Sequence, residues 1–250
     1  MTQALQAFIR PIAHRGLHDA AKGRVENTFS AFSAAIAKGY GIELDLQRDR
    51  DNTPMVFHDS QLQRLVDAEG PVAAYSAKEL KAMRYRASSD EIPTLAELLE
   101  VVAGKVPLMI EVKSTWQRQP GEFERRIADQ VKAYKGPVSL ISFHPNVLEA
   151  LAALAPDVPR GIVSGRFAGK GWWAGDLGAI ERFRLRHLLA SRAARPSFVS
   201  YDIKALPALA PTLAKRVCGL PLFTWTVRTP EDRARAERYA DAMVFEGFEP

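Results

Sequence analysis

Across 250 residues there is a single cysteine, Cys218, and only five histidines. One thiol can neither close an intramolecular disulfide nor build a thiolate metal cluster, so any chemistry must come from imidazoles, carboxylates and cations. No run of about eighteen apolar residues exists, which excludes a membrane-spanning helix. Met1–Pro11 lacks the apolar stretch and small-residue cleavage site of a secretory signal, so the expected location is the cytoplasm, without stable membrane anchoring. Basic residues outnumber acidic ones only by 34 to 29, a formal +5. That surplus favours a small phosphate-bearing ligand but falls short of the dense basic stripe of a nucleic-acid binder. No Gly-x-Gly-x-x-Gly follows the first apolar run, which weighs against a dinucleotide-binding doubly wound sheet. What is present, 47 % apolar and 25 % charged residues, is the composition of a globular chain with ample material for a core.

Short apolar or β-branched runs recur at Phe8–His14, Gly41–Gln47, Val106–Lys113, Val138–Phe143, Arg160–Ser164, Phe198–Ile203, Leu222–Val227 and Ala242–Phe245. Helical patterns separate them at Thr28–Lys38, Thr94–Val102, Gly121–Tyr134, Pro145–Leu154, Asp176–Arg192, Pro207–Arg216 and Pro230–Tyr239. Ser76 with Glu79, and Thr94 with Glu97, read as capping boxes. Eight strands alternating with helices throughout, with no break in the pattern, predict an α/β chain that is one (β/α)8 TIM barrel domain over residues 1–250, with reactive side chains at the C-terminal strand ends. Two departures are expected. Met55–Asp59 follows Gln47 too closely for a helical crossover and must return antiparallel through Asp51-Asn52, which sets His58 opposite Asp45 to within about one residue. Only Glu246–Pro250 follow the last strand, so the eighth helix is reduced or absent, and a second copy of the chain, as a homodimer, is expected to cover that flank.

His14-Arg15-Gly16 puts an imidazole and a guanidinium at the end of the first strand, beside a glycine that permits close backbone approach; such a group suits proton transfer next to a bound oxyanion. Glu26-Asn27-Thr28 precedes a helix and is accounted for by capping. In Glu43-Leu44-Asp45, strand alternation sends both carboxylates to one face. Buried together they need a cation. Glu111 and Lys113 repeat the spacing on the next barrel strand, and three converging carboxylates describe a hard-cation site for one divalent ion, Mg2+ or alternatively Ca2+. A buried Glu–Lys ion pair is the structural alternative. His58-Asp59 brings a second imidazole. Two histidines flanking a cation can run acid–base phosphoryl chemistry, with Arg15 and Lys113 stabilising the developing charge.

Taken in order and spacing, His14-Arg15-Gly16, Glu26-Asn27-Thr28, Glu43-x-Asp45, His58-Asp59 and Ile110-Glu111-Val112-Lys113 resemble the glycerophosphodiester phosphodiesterase family. Weaker matches follow at Ile92-Pro93-Thr94-Leu95, Ser142-Phe143, the Trp225 strand and the closing strand. The resemblance implies a barrel with a small insertion after the second strand, here about Ser60–Asp90, and a divalent metal held by Glu43, Asp45 and Glu111. It implies His14 and His58 as acid and base, Arg15 and Lys113 on phosphate, and Phe143 and Trp225 walling the alcohol. The implied reaction is hydrolysis of a glycerophosphodiester to sn-glycerol 3-phosphate and an alcohol. Lysophospholipase D-like cleavage of lysophospholipids and non-catalytic phosphoester binding stay open as alternatives. Val25 stands where the family usually has proline, and Glu246 where it usually has aspartate; neither is expected to touch the chemistry. Trp172-Trp173 is read as aromatic packing onto a helix, and Arg182, Arg184, Arg186, Arg192 and Arg195 as a solvated helical face.

Overall fold

The structure is a computed structural model describing residues 3–169, 173 and 175–250. The chain opens with a short helix, α1 (Gln3–Gln6), and enters β1 (Ile12–Ala13), α2 (Phe29–Ala37), β2 (Gly41–Arg48), β3 (Pro54–Val56) and α3 (Ala77–Ala82). It continues through α4 (Leu95–Val102), β4 (Leu108–Val112), α5 (Glu122–Ala133), β5 (Val138–Ser142), α6 (Pro145–Leu154) and β6 (Arg160–Ser164). The last third runs α7 (Ala179–Arg186), β7 (Phe198–Asp202), α8 (Leu209–Arg216), β8 (Leu222–Val227), α9 (Pro230–Tyr239) and β9 (Ala242–Phe245). Every strand except β3 is parallel to two neighbours, and β9 pairs back onto β1, which pairs with β2. The sheet therefore closes into a (β/α)8 TIM barrel with β3 hanging antiparallel from β2.

Period-2 alternation divides the apolar residues between two cores. Outward-facing Leu44, Ile110 and Leu140 pack beneath Phe32, Leu98, Ile127 and Leu148 of the surrounding helices. Inward-facing Met109, Ile141, Val163, Phe223 and Val244 fill the lower barrel, where Leu5 and Phe8 join them from below. Phe8 is thus a floor plug and not the start of a strand. Proline at position 11 has no N–H for a ladder, so regular pairing begins only at Ile12. The inner positions turn polar toward the strand ends, which raises the reactive side chains to the mouth.

Helix boundaries follow local chemistry. Thr94 and Ser76 complete both capping boxes, with Thr94 N–H donating to Glu97 Oε2 at 2.9 Å and Ser76 N–H to Glu79 Oε2 at 2.8 Å. α7 is shorter than the pattern implies: Leu188 adopts a left-handed φ of 59° just past His187, so Arg192 and Arg195 lie beyond the helix. Among the described residues no helix follows β9. Phe248 instead packs on Phe245 with ring centroids 5.6 Å apart, and Glu249 pairs with Lys38 at 2.9 Å, so the chain's own end covers part of that flank. Among the described residues no helix is long and apolar enough to cross a membrane.

The hairpin differs from expectation by one residue. Leu46 pairs with Val56 and Gln47 with Met55, and Phe57 N–H donates to Asp45 O at 3.0 Å, the seat expected for His58. The cause is the turn. Asp49 accepts from Asp51 N–H at 2.7 Å and Thr53 N–H at 2.6 Å, and Asn52 takes φ 63°, which closes a loop of three residues (50–52) in place of two. Met55 and Phe57 consequently face the inserted segment and join its separate core with Leu62, Val66, Leu80 and Tyr85.

Candidate active site

β2 and β4 run in register with Asp45 opposite Glu111. Their inward alternation brings carboxylate oxygens of Glu43, Asp45 and Glu111 within 4.8 Å of one another, all buried. Cations are shared unequally among them. Lys113 Nζ lies 2.8 Å from Asp45 Oδ1 and 2.7 Å from Glu111 Oε1, while Arg15 Nε is 3.3 Å from Asp45 Oδ2. Asn27, held at φ 59°, donates its amide to the same Asp45 oxygen at 2.9 Å. Glu43 receives the Arg15 backbone N–H at 3.0 Å and has His14 Nε2 at 3.9 Å, but no lysine or arginine side chain among the described residues.

Electrostatics follow this division. Burial raises the Asp45 carboxyl, but Lys113, His58 and Arg15 outweigh it and hold Asp45 well below the usual range. Burial and the neighbouring Asp45 and Glu111 charges push Glu43 well above it. A buried carboxylate crowded by two others lacks one positive charge. Three oxygen-donor side chains without sulfur or nitrogen ligands fit a hard divalent ion such as Mg2+ or Ca2+, which would supply that charge. The buried Glu–Lys contact is also present, through Glu111 and Lys113, within the same three-carboxylate cluster.

Each histidine has its own support. His14, at the end of β1, places Nδ1 2.5 Å from Glu246 Oε2, and Arg228 grips Glu246 through Nε at 3.1 Å and Nη2 at 2.9 Å. Burial pushes the His14 imidazole down to about 4 against the pull of Glu246, so it is neutral at pH 7. His58 places Nδ1 2.6 Å from Asp59 Oδ1. Arg64 binds Asp59 and also donates to Glu26 at 2.6 and 3.0 Å, and Glu26 accepts Arg15 Nη1 at 2.7 Å. An unbroken chain of ion pairs thus links the insertion to the carboxylate cluster.

Two cavities of about 490 and 370 Å³ meet at this point, and His58, Glu111, Lys113 and Phe143 line both. His14, Arg15, Glu43 and Trp225 face the smaller one, where Phe143 and Trp225 meet edge to face at 5.4 Å. All nine residues singled out as site residues therefore gather at one barrel mouth, Asp45 directly beneath it. Two readings change. Glu246 contacts His14 directly, contrary to the expectation that it stands apart from the chemistry. Glu26 and Asn27 are not caps but partners of Arg15 and Asp45; Thr28 occupies the cap position, yet its hydroxyl donates to Val25 O at 2.7 Å. Arg64 and Arg228 gave no signal in the sequence, because surface arginines in loops are common and only the fold aims these two. Trp173 packs against Phe167 at 5.7 Å, with Leu185 of α7 in the same cluster, while Trp172 lies outside the described residues.

The sequence profile of the Glycerophosphoryl diester phosphodiesterase family matches residues 14–245. A glycerophosphodiester phosphodiesterase of Caldanaerobacter subterraneus subsp. tengcongensis is 29 % identical over 234 residues, covering 90 % of this chain and 88 % of that protein. Among solved structures, a Silicibacter pomeroyi protein described as a putative glycerophosphoryl diester phosphodiesterase superposes with a TM-score of 0.76 at 24 % identity, covering 97 % of this chain and 93 % of that one. An Oleispira antarctica phosphodiesterase, solved in complex with the product sn-glycerol-3-phosphate, gives 0.72 at 21 % identity over 94 % and 92 %.

Proposed function

Because the chain belongs to the glycerophosphoryl diester phosphodiesterase family, we propose that it hydrolyses glycerophosphodiesters to sn-glycerol 3-phosphate and an alcohol with the aid of one divalent cation. The observation that carries the metal and the mechanism is the convergence of Glu43, Asp45 and Glu111 with two imidazoles that line one cavity. Glu43, Asp45 and Glu111 would hold the ion, which when bound lowers the charge barrier at a phosphoryl oxygen. Lys113 pairs with Asp45 and Glu111 and Arg15 with Asp45, and both leave cationic faces at the cavity wall for the phosphate. One imidazole of the His14 and His58 pair takes a proton from the attacking hydroxyl or water, the other delivers one to the departing alkoxide oxygen, and one water in all supplies the oxygen that the product phosphate gains. Glu246 and Asp59, each bonded to a Nδ1, fix the opposite ring nitrogens as the ones that exchange protons. Phe143 and Trp225 wall the organic part of the ester.

The test is release of sn-glycerol 3-phosphate from glycerophosphocholine. Activity is expected to vanish on chelation, to return with Mg2+ or Ca2+, and to drop by roughly 100-fold or more in His14→Ala and Glu43→Ala. Full activity in both variants would overturn the reading.

A further inference from the structure

The acidic cluster and histidines occupy the β1, β2 and β4 side of the smaller cavity, yet its opposite side carries a carboxylate that the chemistry above does not use. Asp202 ends β7 beside Trp225 of β8. Its Oδ1 accepts Lys204 N–H at 2.9 Å, and Oδ2 has no partner among the described residues. The nearest cations are engaged elsewhere: Lys204 Nζ holds both oxygens of Asp232 at 2.8 Å, and Arg166 donates to Lys204 O at 3.0 Å. Burial raises the Asp202 carboxyl, as befits a charge with no ion-pair partner. Room for it is made by Gly165, where an added Cβ would lie 2.9 Å from Asp202 Cβ. Two more polar atoms facing this cavity, Ser200 Oγ and Trp225 Nε1, are buried without a hydrogen-bond partner among the described residues.

Orphaned buried polar atoms are costly, and two of them beside an unpaired oxygen of a half-buried carboxylate call for a ligand that satisfies all three together. A quaternary ammonium offers no hydrogen bond to Ser200 or to the indole. A polyol offers several, and a carboxylate can accept two hydroxyls at once. Resting on the phosphodiesterase reading, we infer that Asp202, with Ser200 and Trp225, reads the free hydroxyls of the glycerol moiety and so fixes which ester arm enters the barrel. The larger cavity beside His58 then takes the other alcohol. Acylation of the terminal hydroxyl, as in a lysophospholipid, would cover Asp202 with an apolar chain and leave its free oxygen unsatisfied, so such substrates are rejected.

The deciding experiment compares kcat/KM on glycerophosphocholine and on its analogue lacking the terminal hydroxyl, for wild type and Asp202→Asn. Asparagine keeps an oxygen for Lys204 N–H but loses the charge. Wild type is expected to prefer the glycerol ester by roughly 100-fold, and Asp202→Asn to compress that preference to within about tenfold. Gly165→Ala, which crowds the Asp202 side chain, should compress it as well and serves if Asp202→Asn does not fold. No preference in wild type, or a preference undiminished in the variants, overturns the inference while leaving the hydrolysis standing. Failure of wild type to cleave either ester removes the proposed reaction and this inference with it.

Discussion

The two histidine stations are chemically alike and structurally opposite. Both run imidazole, carboxylate, guanidinium: His14, Glu246, Arg228 on one side and His58, Asp59, Arg64 on the other. The first is assembled across 232 residues by the closing strand of the barrel, and its imidazole is buried. The second is built within seven consecutive residues at the root of the insertion, and its imidazole is partly open to solvent. A buried imidazole deprived of its partner leaves an unsatisfied polar group, whereas a partly exposed one can turn to water. The closed-sheet station should therefore depend more steeply on its carboxylate.

Removing either ring is the largest perturbation. His14→Ala and His58→Ala should each lower kcat by about 10²- to 10⁴-fold, and similar losses would show that local and long-range assembly are catalytically equivalent. The partners should then separate the two stations. Glu246→Ala is expected to reduce kcat by roughly 10- to 100-fold and Asp59→Ala by less, so steady-state kinetics with the order reversed would break the comparison.

Acid should distinguish them next. For Glu246, burial raises the carboxyl but hydrogen bonds from His14 and Arg228 outweigh it; for Asp59, those from His58 and Arg64 do the same, so both fall below their ordinary 4.5 and 3.8. Groups depressed in the folded chain stabilise it above their unfolded values and lose that contribution as pH falls through and below them. Thermal unfolding followed from pH 6 to 3 should show a shallower loss in Glu246→Gln and Asp59→Asn than in wild type. Arg64→Ala is the smallest change. Arg64 is half exposed, so its stability cost should stay near ~1 kcal/mol in a denaturant titration, with kcat reduced only a few-fold through Asp59.

Much of the site was legible because strand alternation is rigid. Once Glu43-x-Asp45 and Glu111-x-Lys113 lie on inner faces of adjacent strands, their side chains have nowhere to go but together. The hairpin register was less so, since one extra loop residue, favoured by the Asp49 side chain, shifts every pairing. Phe8 shows the same limit: an apolar residue before a strand can extend the ladder or plug the floor, and local pattern does not separate the two.

Local chemistry in the chain determined the alternation of strands and helices, the capping boxes and the polar residues toward the ends of the inner faces. Only the closed barrel decided that Glu246 holds His14, that Arg64 ties the insertion to Glu26, and that Asp202 is left facing the cavity. The reason is range. Backbone hydrogen bonding and side-chain periodicity act over a few residues and are written in sequence order, while ion pairs across the mouth depend on where the sheet closes, which no local stretch encodes.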